Sequence, residues 1–413
     1  MIPDLIMKDA ASIDQSDDKA PDRPGTEIDD RPTLFWVQVA DLEKILDSET
    51  YLVPSQMLRE MDWKVILTQS SSASKEISMN NGLLIVPRST TYLLGQVSMH
   101  IQIMRWLFSH DEVDVVMFHD ISSAWFLPIP LLYRLAGRRR PLFVKDSRTF
   151  HMGSGTQGIK DRLRSLYYRY SHRLADLWVD GHLAITPRIA EAFGVRSERL
   201  LGVWPSGVDP SKFKAAHETR CWPGEDEPVR LVYIGSIHSE RNLSTLCRAV
   251  IAATNQGMKF TLTIVGRGAQ QAELEELAST TNGIVVIRPA VPHDEVWKVL
   301  ADAHIGVLPF PDELKFRVSS PIKLFEYMAA GMPILATRIV CHTDVVGEGE
   351  FVFWADGSDQ EALADALKQI WVTRWSLPEL GIQAVEAVDQ WTWEASSIKL
   401  ATALKALKSK EQS

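Results

Sequence analysis

From residue 33 onward, short apolar runs alternate with stretches whose apolar positions recur at helical spacing. Runs at 33–40 (TLFWVQVA), 64–68, 83–86, 113–118, 142–145, 182–185 and 200–204 read as strands. Helical periodicity covers 51–61, 92–108, 124–137, 159–178 and 187–193. A polar stretch with two prolines, 218–228, interrupts this pattern, which then restarts. Strands are predicted at 230–234, 261–265, 284–287, 305–308, 333–336 and 351–353. Helices are predicted at 243–253, 271–279, 294–303 and 360–371, with a long one over 391–408. Short apolar strands alternating with helices predict parallel sheets covered on both faces. The expected fold class is therefore α/β, with two doubly wound, Rossmann-like domains in succession and no convincing repeat between them. The expected divisions are a tail (1–32), a first domain (33–215), a second domain (216–390) and a terminal helix and tail (391–413). Ligands of such domains bind outside the carboxyl ends of the strands, so two facing domains make a cleft with one ligand on each side.

Composition changes this picture only at the N-terminus. The net charge of the 413 residues is −9, but residues 1–31 alone hold nine acids and four bases. That segment has no sustained period and reads as a disordered acidic tail. It lacks the apolar core of a signal peptide, and no apolar run in the chain is long enough to span a bilayer. Cys221, Cys247 and Cys341 are scattered and odd in number, which fits a reducing compartment and implies neither a disulfide framework nor a metal site.

The most informative stretch is 319–331, S-S-P-I-K-L-F-E-Y-M-A-A-G. Ser320 is a suitable N-cap and Pro321 suits the first helical position. Ile322, Leu324, Phe325 and Met328 give a buried side, and Gly331 ends the helix. A helix start soon after the predicted strand 305–308 offers free N–H groups to an anion. Lys323 lies in the first turn, where the helix dipole disfavours a cation, and a bound phosphate would remove that penalty. Glu326, one turn on, can accept hydrogen bonds from a diol. The plain reading is a capped helix with a solvated Lys and Glu, and the residues alone leave the two readings balanced. The stretch also resembles the donor-site signature of nucleotide-sugar glycosyltransferases of family 4 (glycosyl transferases group 1), which have the two-domain GT-B fold. The resemblance implies that Ser319, Ser320, Pro321, Ile322 and Lys323 meet a diphosphate and that Glu326 binds ribose hydroxyls. It also implies that the terminal helix crosses back to the first domain.

Other segments extend the resemblance, which covers nearly all of 33–408. Gly235-Ser-Ile-His-Ser-Glu-Arg241-Asn follows a predicted strand. Gly235 lets the chain pass close to a ligand. Arg241 matches a family residue that grips the diphosphate, and Ser236 replaces the family's first Arg. Val265-Gly266-Arg267-Gly268 resembles an element near the nucleotide, and Arg288 and Val291 lie in a loop whose backbone often meets the base. Trp204-Pro-Ser-Gly-Val-Asp209 matches a segment that shapes the cleft floor, where a structural role is the better reading. On the acceptor side, His119 and Asp120 follow an apolar strand, and they read equally well as acceptor contacts or as a packed polar pair. Asp146 and Arg148 stand where many relatives have Asp-x-His. Arg cannot be a general base near neutral pH but can bind phosphate or carboxylate. Of the family's paired glutamates, Glu326 is the second. Val318 stands eight positions earlier and Glu313 further upstream.

The resemblance implies a retaining transfer of sugar from a nucleoside diphosphate sugar to an acceptor hydroxyl, in glycan, glycolipid or polysaccharide biosynthesis. Arg241, Lys323, Arg148 and His119 are the catalytic candidates. No metal or other resident cofactor is expected; the donor is a co-substrate and the acceptor a glycan or a lipid-linked molecule. Between Arg134 and Arg173 stand eleven bases and two acids. The plain reading is a core helix with a solvated basic face; the sharper one is a surface that approaches anionic lipid. The expected location is the cytoplasm, with peripheral contact at the inner face of the membrane as the second option. Nucleic acid fits poorly, because no stacking motif accompanies the charge. A nicotinamide-dependent enzyme is disfavoured, since D-L-E-K-I-L-D after the first strand is no glycine-rich turn. A nucleotide-sugar epimerase lacks a clear carboxylate and His pair. A non-catalytic GT-B subunit stays open because of Ser236, Arg148 and Val318.

Overall fold

The computed structural model describes residues 30–45, 48–149, 166, 167, 170, 173–347 and 349–412. The chain divides into residues 1–31 and the compact unit Pro32–Ser413, which is described below. The expected tail therefore lies outside the described residues, as does most of the predicted helix 159–178.

Two sheets organise the unit. The first contains β1 (Thr33–Val37), β2 (Lys64–Ser71), β3 (Ser78–Asn80), β4 (Leu83–Pro87), β5 (Val115–His119), β6 (Leu142–Ser147), β7 (Gly181–Ala184) and β8 (Leu200–Val203). Their order is β3-β4-β2-β1-β5-β6-β7-β8. All pairs are parallel except the edge pair of β3 and β4. The second sheet contains β9 (Val229–Ser236), β10 (Phe260–Arg267), β11 (Val285–Pro289), β12 (Ile305–Leu308), β13 (Ile334–Thr337) and β14 (Val352–Ala355). Its order is β11-β10-β9-β12-β13-β14, and every pair is parallel. Strand order reverses between β1 and β5 and again between β9 and β12, so each half has one crevice suited to a ligand.

Alternation along β1 builds two core layers in the first half. Leu34 and Trp36 pack on one side with the helix Trp393–Gln412, through Leu400, Leu404 and Leu407. Phe35 and Val37 pack on the other with Met99, Ile103, Phe126 and Tyr133. The second half has a single large core, and Val208, Phe213 and Ala216 already belong to it, ahead of the polar stretch 218–228. The terminal helix does cross back to the first half. The Val208 N–H donates to the Trp391 carbonyl (3.0 Å) and the Val208 carbonyl accepts from the Trp393 N–H (3.1 Å), and Lys408 pairs with Asp114 at 3.1 Å.

Local chemistry accounts for the differences from the predicted elements. The predicted helix 124–137 begins only at Ile129, because Pro128 and Pro130 withhold N–H groups. The predicted helix 294–303 opens as a 3-10 turn, His293–Glu295, before Val296–Ala301. The stretch before Ser319, given no element above, contains a turn of helix, Leu314–Arg317, and β3 is too short and polar to betray itself. Helices Lys214–Thr219, Val340–Val346 and Leu377–Ala387 were also absent from the predicted pattern.

Leu404 is fully buried where the terminal helix meets the first half. Leu404→Ala is expected to cost about 2–5 kcal/mol. Urea unfolding of the variant and wild type measures that loss.

Candidate functional site

The crevice between β9 and β12 is built by close backbone approach. Gly235 ends β9 with φ of 146°, a conformation open to glycine, and a Cβ there would stand 3.2 Å from Cε of Lys323. Gly266 at the end of β10 lies so near that its Cβ would fall 1.8 Å from the Gly235 carbonyl oxygen. These two glycines let the loops draw together, and the Lys323 side chain passes over Gly235. Asn242 holds the next turn in the left-handed region (φ 60°), and its Nδ2 donates to the carbonyls of Pro309 (3.1 Å) and Ser358 (2.6 Å). That fixes the 3-10 turn Ser239–Arg241. Arg241 Nε donates to Ser236 Oγ at 3.3 Å, and the guanidinium lies over the stacked rings of Phe310 and Phe316 at 4.9 and 5.4 Å.

Facing it is the helix Ile322–Ala329, whose start carries no side-chain cap. Gly331 follows with φ of 63°, as predicted for its stop. Ser236, Arg241, Ser319, Ser320 and Lys323 line one wall of a cleft of about 380 Å3, with Tyr51, Arg148 and Ser206 of the first half on the other wall. Two cations and uncapped helix N–H groups on one wall suit an anionic, polyphosphate-like ligand.

Glu326, one turn further into that helix, is 3% exposed and lines a smaller adjoining pocket with Glu49, His293 and Lys323. Burial would push its carboxyl up, but Lys323 (Nζ 3.8 Å away) and His293 (Nε2 3.1 Å away) outweigh it and hold the group below its usual range. His293 also pairs through Nδ1 with Glu49 of the first half at 3.0 Å, and Lys212 reaches the same Glu49 oxygen at 2.6 Å. Hydrogen bonds to Glu326 and Glu49 raise His293 to about 9 against the opposing effect of burial. Burial acts to raise Glu49, yet His293 and Lys212 bring it down to about 2. An imidazolium thus bridges a carboxylate from each half. Sequence reasoning missed Glu49, Lys212 and His293. The usable signal for His293 was its place just beyond β11, at the carboxyl end of a strand.

The acceptor-side candidates form a buried cluster. Asp146 is fully buried, accepts from Trp204 Nε1 at 3.0 Å and lies 4.0 Å from Arg148 and 3.8 Å from His119. Burial raises its carboxyl to about 6, against Arg148 and Trp204. Asp120 is 5% exposed, accepts from Ser147 Oγ at 3.1 Å and faces buried Lys145 at 3.8 Å. Arg148 stacks on Trp204 at 3.7 Å and borders the cleft. His119 lies behind Tyr51, ring edge to ring at 5.4 Å.

Several expected placements change. Ser320 does not cap the helix; Pro321 occupies the cap position, and Ser320 Oγ instead accepts from the Ser206 N–H of the first half at 3.1 Å. Arg288 is exposed and borders a separate pocket with Arg230, Thr263 and Asp302, because β11 is the edge strand remote from β12. Asp120 and Asp146 turn into the protein and not into the cleft. Glu313 points outward and pairs with Lys315 at 2.9 Å. Val318 packs with Ile185 and Ile189 across the two halves, and its carbonyl accepts from Thr186 Oγ1 at 2.7 Å. Among the described residues, no group of three or more His, Cys, Asp or Glu is placed to hold a metal ion. No described helix is long and apolar enough to cross a membrane.

Comparison with known proteins agrees with this arrangement. Residues 228–372 match the family model described as Glycosyl transferases group 1. The 2-deoxystreptamine glucosyltransferase of Streptomyces kanamyceticus is 26% identical over 251 residues, covering 57% of this chain and 62% of that one. The chain thus spans under two thirds of that relative's length. The GDP-mannose-dependent alpha-(1-6)-phosphatidylinositol monomannoside mannosyltransferase of Mycolicibacterium smegmatis is 24% identical over 345 residues, 80% of this chain and 86% of that one. Sucrose-phosphate synthase from Thermosynechococcus elongatus superposes with a TM-score of 0.67 at 17% identity, over 92% of this chain and 100% of that chain. HepE of Anabaena in complex with UDP gives 0.63 at 13% identity, over 91% and 100%. Two parallel-sheet halves around a cleft, joined by a returning terminal helix, define the GT-B fold. The chain has this fold, and its residues 228–372 carry the match to Glycosyl transferases group 1.

The His293 bridge has a defined pH window. His293 is raised, so its contribution is full below about 6.5 and is lost as pH rises through about 9. Glu49 is depressed, so its contribution is full above about 4.5 and is lost as pH falls through about 2. His293→Gln is expected to cost roughly 1–3 kcal/mol near pH 6, between the values for exposed and buried pairs. The gap from wild type should close towards pH 10, as read by thermal unfolding of both proteins across pH.

Proposed function

We propose that this protein transfers a sugar from a nucleoside diphosphate sugar to an acceptor hydroxyl, in the making of a glycan, glycolipid or polysaccharide. The observation that carries the reading is the meeting of Arg241, Lys323 and an uncapped helix start on one cleft wall, beside buried Glu326. The diphosphate lies along that wall, and the ribose hydroxyls donate to Glu326. The bond from the anomeric carbon to the diphosphate oxygen breaks, and negative charge grows on the leaving group. Lys323, Arg241 and the helix N–H groups stabilise that charge where it develops. The acceptor hydroxyl attacks from the side of the leaving group, which retains the anomeric configuration, and its proton passes to the departing diphosphate. No resident metal is invoked, since two side-chain cations face the leaving group.

Arg148 is the first-half group best placed beside the incoming sugar or acceptor. It is held from behind by Trp204 and Asp146 and is presented at the cleft surface. Its fixed charge suits binding and orientation, not proton transfer. A lipid-linked acceptor is supported by two of the relatives, which are named as mannosyltransferases acting on phosphatidylinositol compounds.

The test is a transfer assay with a panel of nucleoside diphosphate sugars and with glycan and lipid-linked acceptors. Lys323→Ala and Arg241→Ala should each lower kcat/KM by roughly 10²–10³, the usual cost of removing one donor from a developing oxyanion. Absence of turnover by the wild-type protein across the panel would favour a non-catalytic subunit, in which Val318 and Ser236 mark a lost function.

A further inference from the structure

The outer side of one helix layer does not look like a solvated surface. Helix Tyr92–Phe108, helix Ile129–Leu135 and residues 173–179 cover the same face of the first sheet, anchored by Met99, Ile103, Ile129, Tyr133, Ala175 and Val179. Their outward positions should be polar. Instead Leu93 (65% exposed), Leu94 (63%), Leu131 (58%), Leu135 (74%) and Leu177 (80%) stand in solvent. Eighteen large apolar side chains are exposed among the described residues, and eleven of them fall between residues 93 and 177. Leu127, Leu131 and Leu135 are spaced four apart, and so are Leu93, Val97 and Ile101, so each helix carries a stripe and not a scatter. The two helices are neighbours, since the rings of Phe108 and Tyr133 stack at 4.4 Å and Tyr133 donates to the Leu107 carbonyl.

The charges beside the stripes are mainly basic; the acid of the 173–179 segment, Asp176, is turned to His182 at 2.8 Å. Arg105, Arg134, Arg139 and Arg173 are exposed on this layer, and helix Tyr92–Phe108 contains no acidic residue. The chain as a whole carries −9, so this face opposes the general balance. Leu93, Leu94 and Leu127 stand near helix starts, at the carboxyl end of the sheet where Arg148 meets the cleft. We propose that this leucine and arginine face docks on an anionic lipid bilayer, lying in its interface and placing the acceptor side of the cleft next to the membrane surface. Leucines buried below the headgroups and arginines among lipid phosphates fit both halves of the pattern. A second copy of the chain fits less well, because a two-fold contact would set the arginines against themselves. The inference gives the proposed transfer a membrane-held acceptor and rests on that reading for its purpose. Lipid binding is measured without turnover, so the two can fail separately.

The experiment is flotation of the full chain with vesicles of phosphatidylcholine alone, or with about a third phosphatidylglycerol, at low and high salt. Wild type should float with the anionic vesicles and about tenfold less with the neutral ones. Leu131→Ser with Leu135→Ser should lower the bound fraction about tenfold, and Arg134→Glu should remove most of the salt-sensitive part. Unchanged thermal unfolding of the variants shows that they fold. Binding of wild type to neither vesicle, or equal binding by the leucine variant, overturns the proposal. So does a dimer in solution that the leucine variant abolishes, since that would assign the face to a second copy.

Discussion

A carboxylate buried beside a cleft stays ionised only if cations stand next to it, because burial of an unpaired charge costs several kcal/mol. Glu326 is that carboxylate, and Lys323 and His293 are those cations. Lys323 can reach it because the chain at Gly235 has no side chain, and His293 can reach it because β11 ends on the same side. His293 in turn binds Glu49, so the charge of the second half's ribose-site candidate is tied to the position of the first half. Electrostatics at one residue and the relation between the two halves are therefore one problem.

Other contacts between the halves divide the work. Val318 meets Ile185 and Ile189 in a small apolar cluster, Ser206 binds Ser320, and Arg188 pairs with Asp344 at 2.7 Å. Val318, where the resemblance would place the first of two glutamates, is part of a hydrophobic contact. The anionic ligand that the cleft wall suits would meet Lys323, Arg241 and the helix start, none of which involves Val318. Among the described residues, the first-half wall adds one cation, Arg148, whose direction is set by the Trp204 ring and the Asp146 carboxylate. The apolar contact between the halves and the cations of the cleft wall thus rest on different residues.

All strands except β3 were legible because each is a short apolar run, and their bounds moved by at most three residues. Gly235, Arg241, Lys323 and Glu326 were legible because backbone chemistry and a local motif place them. Ser320 was misread because its partner comes from the other half, more than a hundred residues away, and no local rule carries that information. The Glu49, Lys212 and His293 bridge was illegible for the same reason. The surroundings of the Arg288 side chain were not legible, because strand order, not strand sequence, puts β11 at the sheet edge. Asp120 and Asp146 had the right residue types at the right strand ends, but their side chains turn inward to Ser147, Lys145 and Trp204.

The central claim is that the wall beside Glu326 binds a nucleoside diphosphate. Its most direct test is thermal unfolding of wild type and Glu326→Ala with UDP, GDP, ADP, dTDP, CMP and NAD. A nucleotide at a hundred times its Kd adds about 2.7 kcal/mol, and roughly 2–4 °C per kcal/mol makes that a shift of several degrees. The account predicts such a shift with one nucleoside diphosphate and its loss in the variant. No shift with any of them, or the same shift in Glu326→Ala, would contradict it.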